Sequence, residues 1–381
     1  MNASVARPSV IGRLRKLARH VGVAADQYGL SRGAVGGRLL SLYWRRGFRP
    51  GEALRLGLTD PKIVPASLDG CFTKEELFAL QNRLNPVELT SLTEDKSVFD
   101  AYCAARAIPV PKHFATLGRV SAGSPEGHAI ATREAWLRDI APNLPSQFIT
   151  KPALGVYGAG VSLWTREGTS FRDHKGRLLS ADALYEQCCG DPKFDRYVVQ
   201  QRLLNHPALV ELTGSSTLQT VRLVTLIDTD GTAQCLYAEW KLAIGESVTD
   251  NFAGGVGGNL VASVRLSDGT TGAAQAPAPS GIGSTQVHRH PVTGAELEGF
   301  RLPDWTSVTE LALRAARTFL PLCTIGWDIA LTPDGPVIVE GNRWWDPPND
   351  AVIGPPAPGL DLHELATNGQ KLRTAAQQVS Q

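Results

Sequence analysis

The sequence predicts a mixed α/β protein of the α+β kind, with a helical N-terminal region ahead of its sheets. Three observations predict this. Apolar residues recur at helical spacing through the first fifty positions, later alternating runs are joined by Gly-containing hairpin turns, and further helical stretches fall between those runs. With 381 residues, the chain is long enough for two or three packed units and a cleft between them.

Residues 9–28 and 31–46 carry Ile11, Leu14, Leu17, Ala18 and Val21, then Val35, Leu39, Leu42 and Tyr43, with arginines between them. This spacing predicts two amphipathic helices. A basic amphipathic helix either lies on a membrane face or packs on its own domain with a solvated charged side, and the second arrangement is the commoner. Residues 1–62 hold twelve Lys/Arg against Asp26, Glu52 and Asp60, so the net charge of +1 conceals a basic N-terminus and an acidic remainder. Peripheral contact with an anionic membrane is one expectation for this segment. The near-neutral total argues against nucleic acid as the main partner.

Thr73 and Glu76 form a capping-box pattern that starts a short helix, and a second helix over 97–107 ends before Pro109 and Pro111. A strand over 148–151, the glycine-rich LGVYGAGV and a strand over 161–165 read as a hairpin with a glycine tip. A helix over 180–190 and a buried strand over 197–201 follow. Two long strands, 220–227 and 233–243, alternate around the turn at Asp228 to Gly231. Residues 268–304, rich in Gly, Ala, Ser and Pro, read as loop; 307–319 reads as helix, and 326–331 with 337–340 as a final hairpin. A proline-rich linker and a helix near 360–378 end the chain.

No window reaches the ~18 consecutive apolar residues that would span a bilayer, and the first thirty residues lack a secretory signal, so a cytoplasmic protein is expected. The six cysteines show neither a CxxC pair nor metal-ligand spacing. Reduced thiols are expected. His288 and His290 lack a third ligand at sensible spacing and read as loop structure.

The chemistry concentrates in the final hairpin, where a tight turn returns Glu340 next to Asp328, and Asn342, two residues on, shares the face of Glu340. Mg²⁺ takes this kind of oxygen donor set together with substrate phosphates. The alternative is a hairpin with surface acids. Against it stand Ile329, Val337, Ile338 and Val339, because burying acids without a cation is expensive. Upstream, Lys151 is followed by Gly155, Gly158 and Gly160, a spacing that lets backbone amides approach phosphate oxygens. Trp344 and Trp345 either wall a substrate pocket or fill core, with core favoured.

These pieces occur in a fixed order: EDK at 94–96, FITKPALGVYGAGV, VVQQRL at 198–203, TVRLVTL at 220–226, DNFAGGVGGN at 250–259, HPVTG at 290–294 and GWDIALTPDGPVIVEGN. Over about two-thirds of its length the chain resembles the sugar-transfer-associated ATP-grasp family. The resemblance implies an ATP-grasp fold, two α+β subdomains clamping ATP, and a division into a helical basic region (1–90), a linker with helix (91–145), a small lid subdomain (146–203), a C-terminal subdomain (204–350), and a proline-rich linker with helix (351–381). It implies ATP and Mg²⁺ as cofactors, two ions being expected and Mn²⁺ a substitute. Lys96 and Lys151 would contact the α- and β-phosphates, the loop with Gly155, Gly158 and Gly160 would cover them, and Gln200 and Gln201 would lie at the adenine hinge.

The metal ligands would be Asp328, Glu340 and Asn342, while Arg222, Lys241 and Asn251 would meet the γ-phosphate and a forming acyl phosphate. Gln219, Lys241 and Gln201 stand where the family more often shows Asn, Arg and Glu. A lysine in place of an arginine loses the bidentate fork. The implied reaction joins a small carboxylate to an amine or hydroxyl acceptor, a sugar or sugar conjugate among them, in glycan or related biosynthesis. Two rivals stay open: a kinase acting on a hydroxylated substrate, and a non-catalytic nucleotide-binding subunit.

Overall fold

The computed structural model describes residues 10–64, 68, 72–119, 129–155, 158–228, 230–245, 250 and 258–346. The expected C-terminal helix and Asn251 lie outside them. Ten helices are described: α1 (Val10–Tyr28), α2 (Arg32–Arg46), α3 (Pro50–Arg55), α4 (Lys74–Leu84), α5 (Ser91–Glu94), α6 (Lys96–Ala104), α7 (Arg133–Ala135), α8 (Ala181–Cys189), α9 (Pro207–Thr213) and α10 (Trp305–Thr318). The strands are β1 (His113–Gly118), β2 (Gln147–Pro152), β3 (Ser162–Glu167), β4 (Ser170–Asp173), β5 (Leu178–Ser180), β6 (Arg196–Gln201), β7 (Thr220–Ile227), β8 (Ala233–Leu242), β9 (Leu260–Val264), β10 (Thr271–Pro277), β11 (Ser284–Val287), β12 (Thr324–Thr332) and β13 (Gly335–Asn342).

Helices α1 and α2 turn one apolar face inward. Ala24, Ala25, Val35, Leu39 and Leu42 pack with Phe48, Leu54 and Leu58 into a core of their own, while Ile11, Leu14, Leu40, Tyr43 and Trp44 stay exposed among the basic residues. At α4 both halves of the capping box form: Thr73 Oγ1 accepts from Glu76 N at 3.1 Å, and Glu76 accepts from Thr73 N at 2.9 Å. Two of the helix's orphan N-terminal donors are thereby satisfied.

Two antiparallel sheets carry the rest. A six-stranded sheet runs β1-β6-β2-β3-β4-β5 and a seven-stranded sheet runs β11-β10-β9-β8-β7-β12-β13. Phe148, Trp164, Phe171 and Trp136 fill the core of the first. The second is covered by α10, whose Val308, Leu311, Ala312 and Ala315 follow helical spacing and are buried. No helix among the described residues is long and apolar enough to cross a membrane.

The segment 268–304 differs from its expected loop, because β10 and β11 lie within it. Ala, Gly and Ser disfavour strands in composition counts. Here they sit at the sheet edge, where β10 pairs with β9 and β11, and the ladder bonds hold the strands with little side-chain burial. Likewise β1, in the segment expected as linker, pairs with β6 and belongs to the six-stranded sheet. The described cysteines Cys103, Cys188, Cys189, Cys235 and Cys323 are free thiols.

Candidate active site

The site is built on β12, whose nine residues are all buried between β7 and β13. Its turn is set locally: Thr332 pairs with Gly335, whose φ is 107°, and Thr332 Oγ1 donates to Gly335 O at 2.7 Å. From that turn the register pairs Ile329 with Ile338, and a bulge then makes Val339 an extra residue on β13, so Asp328 pairs with Glu340. Without the bulge Asp328 would face Val339; re-aiming a side chain is what such bulges do beside active sites. Asp328 also pairs with Arg222 on β7, and Arg222 with Glu239 on β8. A row of charges, Glu340, Asp328, Arg222 and Glu239, thus crosses four strands.

Asp328 is the hub of this row. Arg222 donates to both of its oxygens, at 2.5 Å through Nε and 2.9 Å through Nη2, and Lys241 Nζ reaches Oδ1 at 2.8 Å. Burial pushes the Asp328 carboxyl up, but the charges of Arg222 and Lys241 overcome this and hold it below the usual carboxylate range. Arg222, though itself desolvated, is held above its ordinary value by Asp328. Room for it depends on Gly326, where a Cβ would stand 3.1 Å from Arg222 Cδ and 3.0 Å from Trp345 Cβ. Between Glu340 and Asn342, a Cβ at Gly341 would lie 3.0 Å from the ring of Phe99 on α6.

The opposite wall comes from the six-stranded sheet and α6. Asp95 caps α6, accepting from Ser97 N at 2.9 Å and from Val98 N at 3.3 Å, and it also pairs with Arg196. Lys96 N donates to Ala153 O at 2.9 Å, so the EDK segment is tied to the start of the glycine-rich loop. The Lys96 ammonium donates to Gly155 O at 3.0 Å and stands 3.9 Å from a Glu340 oxygen, bridging the two sheets. Lys151 is 5% exposed and makes no ion pair among the described residues. Desolvation lowers its pKa, as does Lys96, while Asp100 and Glu340 draw it back up.

A cavity of about 730 Å³ lies between these walls. Lys96, Lys151, Arg222, Lys241, Asp328, Glu340 and Asn342 all line it, with Gly155, Gly158 and Gln201. Gly160 is not in the lining; it has φ of 79° and packs so closely on Pro152 that a Cβ would approach to 2.7 Å. The adjacent glutamines part company. Gln201 borders the cavity and accepts from Lys112 N at 3.2 Å, while Gln200 is fully buried and donates to Asp100. The two tryptophans divide as well: Trp345 is core and Trp344, 42% exposed, lines the cavity. His290 is buried, its Nδ1 accepting from Thr293 N, and His288 pairs with Glu298.

Sequence reasoning passed over Asp250, Glu239 and Asp100. Asp250 lines the cavity and accepts from Thr220 N at 2.7 Å and Thr220 Oγ1 at 2.5 Å. Burial raises its pKa to about 6, with Asp328 adding to the rise and Lys241 and Thr220 opposing it. Its signal was its place beside Asn251 in a glycine-rich loop. Glu239 and Lys241 share one face of β8 by their spacing of two, a signal available once Lys241 is singled out.

The donor set fits Mg²⁺. Asn342 Nδ2 is directed to Gly326 O at 3.3 Å and Glu340 Oε1 at 3.5 Å, which leaves the amide oxygen as the acceptor beside two carboxylates. Among the described residues no group of three or more His, Cys, Asp or Glu side chains forms a metal cluster. Such a set needs phosphate oxygens and water to complete octahedral coordination.

Comparison with known proteins bears on this arrangement. A family model described as sugar-transfer associated ATP-grasp matches residues 78–348. Solved structures that resemble the chain include biotin carboxylase from Campylobacter jejuni, 12% identical with a TM-score of 0.40 over 73% of this chain and 46% of that one. D-alanine–D-alanine ligase from Bacillus anthracis, complexed with ATP, is 11% identical with a TM-score of 0.39 over 77% and 71%. The match spans about half the length of the biotin carboxylase. No curated protein sequence matches the chain.

Proposed function

Because the chain belongs to the sugar-transfer associated ATP-grasp family, we propose that it is an ATP- and Mg²⁺-dependent ligase, activating a carboxylate as an acyl phosphate and joining it to an amine or hydroxyl. The observation that carries this reading is the convergence on one cavity of the Asp328, Glu340 and Asn342 oxygens with four basic side chains from α6 and both sheets. Lys96 and Lys151 bind the α- and β-phosphates, and Gln201 borders the adenine. Buried Lys151 has little to offset its desolvation, so a phosphate oxygen supplies the missing partner. Asp328, Glu340 and Asn342 would hold Mg²⁺, which would supply positive charge against the negative charge of the phosphates.

A substrate carboxylate oxygen attacks the γ-phosphorus and ADP leaves. Arg222 and Lys241 stabilise the charge on the transferring phosphoryl group. The acceptor nitrogen or oxygen then attacks the acyl carbon, phosphate leaves and the acceptor proton is lost. Exclusion of water by the cavity walls keeps the acyl phosphate from hydrolysis.

The test is a screen of purified protein with ATP, Mg²⁺ and paired carboxylates and acceptors, following ADP and free phosphate together. The expected result is equal release of both, dependent on the carboxylate and reduced by about 10²–10³ in Arg222→Met. Phosphate left covalently on a hydroxyl product replaces the ligase reading with a kinase one. Absence of nucleotide binding in the presence of Mg²⁺ refutes both.

A further inference from the structure

One end of the cavity is built by residues ahead of the family match. Glu52 and Arg55 on α3 and Lys74 on α4 line it, together with Phe78, Trp344 and Asp346. Glu52, Lys74, Phe78, Trp344 and Asp346 form one connected patch: Lys74 N donates to Glu52 at 2.9 Å, Lys74 Nζ pairs with Asp346 at 2.7 Å and lies 5.3 Å from the Phe78 ring centre, and the Phe78 and Trp344 rings are 6.4 Å apart. Trp344 follows Asn342 by two residues, so the patch begins within about 7 Å of the expected metal ligands along the chain.

Three features of the patch point to a ligand. Phe78 and Trp344 are 36% and 42% exposed, while Trp345 beside them is buried, so the chain keeps one of two adjacent indoles out of its core. Trp344 is fixed there, its Nε1 donating to Asn82 at 3.1 Å and the Arg343 guanidinium lying 4.4 Å from its ring centre. Second, Lys74 and Asp346 satisfy each other, whereas Arg55 borders the cavity exposed, with no carboxylate partner among the described residues, and so is open to an anion. Third, the wall is braced: Gly283 N donates to Leu54 O at 3.1 Å and Gln27 donates to Ile282 O at 3.2 Å. Aromatic faces take the C–H face of a sugar ring, and neighbouring carboxylates accept its hydroxyl hydrogens. A purine offers the flat face but not the hydroxyls.

We propose that this end is the acceptor subsite, and that it takes a sugar bearing an anionic group, the ring on Trp344 and Phe78 and the anion on Arg55. Its role as acceptor rests on the ligase reading above; its binding chemistry does not. The N-terminal helices are then part of the substrate site, and they set which acceptor this chain accepts.

Calorimetric titration of the full chain, saturated with Mg²⁺ and a non-hydrolysable ATP analogue, tests it with glucuronate, glucose 6-phosphate, glucose and adenine. Both anionic sugars are expected to bind, with glucose about ten-fold weaker, as the loss of one charge-assisted contact predicts. Glucuronate binding alone makes the anion a carboxylate, and glucose 6-phosphate alone makes it a phosphate; either supports the subsite. Arg55→Ala removes the preference over glucose, Arg55→Lys restores part of it, and Trp344→Ala weakens every sugar while the affinity for the ATP analogue stays unchanged. Equal binding of glucose, competition by adenine, an unaltered preference in Arg55→Ala, or no sugar bound at all overturns the proposal. Failure of the ligase reading alone shows differently: the sugar pattern stands and no ADP is released.

Discussion

The two sheets bring opposite kinds of site to the same cavity. On the seven-stranded sheet the charges answer one another: Asp328 is held by Arg222 and Lys241, and the row continues to Glu340 and Glu239. On the six-stranded sheet Lys151 is buried with no ion pair among the described residues, and Gly155 and Gly158 bring backbone rather than charge. One wall is preorganised by its own electrostatics, and the other is completed by what binds. Breaking the Asp328 pairs on the first wall therefore costs stability, and mutations on the second wall cost affinity.

The largest expected effect breaks the first wall. Asp328→Ala leaves two buried cations without their acid and is expected to lower unfolding free energy by roughly 3–5 kcal/mol in urea titration. Adding Arg222→Leu should recover part of that loss, and a strictly additive double variant would contradict the coupling.

A second test concerns Asp250 in the metal-free protein. Its folded-state pKa of about 6 lies above the ordinary aspartate value of 3.8, so the folded chain holds the proton more tightly than the unfolded one. The resulting cost is absent below pH 4, grows between about pH 4 and 6, and is complete above pH 6. Asp250→Asn should remove this slope and stabilise the protein by about 3 kcal/mol at neutral pH, as a two-unit shift implies. Stability curves of the two proteins that stay parallel across this window would show that Asp250 does not titrate as described.

The smallest change in stability is expected on the second wall. Lys151→Met should cost no stability, because a buried cation without an ion pair carries a desolvation penalty that Met lacks. Its Mg²⁺–ATP affinity should nevertheless fall about 10- to 100-fold, as the loss of a charge-assisted contact to phosphate implies. A variant that unfolds easily yet binds nucleotide normally would erase the distinction between the walls.

Much of the seven-stranded wall was legible in the sequence. Alternation, the Pro333-Asp334-Gly335 turn and the spacing of Glu340 and Asn342 bring two acids and an amide onto adjacent strands, though not into register. What alternation does not reveal is the bulge at Val339, because an extra residue leaves no mark in hydropathy. Strands β10 and β11 were illegible for another reason, since strands of small residues near a sheet margin are held by backbone bonds that composition does not register. Nor was the split between Gln200 and Gln201 readable: it depends on Asp100, a hundred residues away in sequence, waiting in α6. The N-terminal wall was read only as amphipathic helices, because contact with the β10–β11 turn is tertiary.

That contact is unusually close. Gly57 and Gly283 meet so tightly that a Cβ on Gly57 would stand 3.1 Å from the other's Cα. Two backbones at this range behave like a weld, so the helices and the edge of the larger sheet travel together. Helices α1 to α3 are thereby built onto the margin of the larger sheet as part of the cavity's frame.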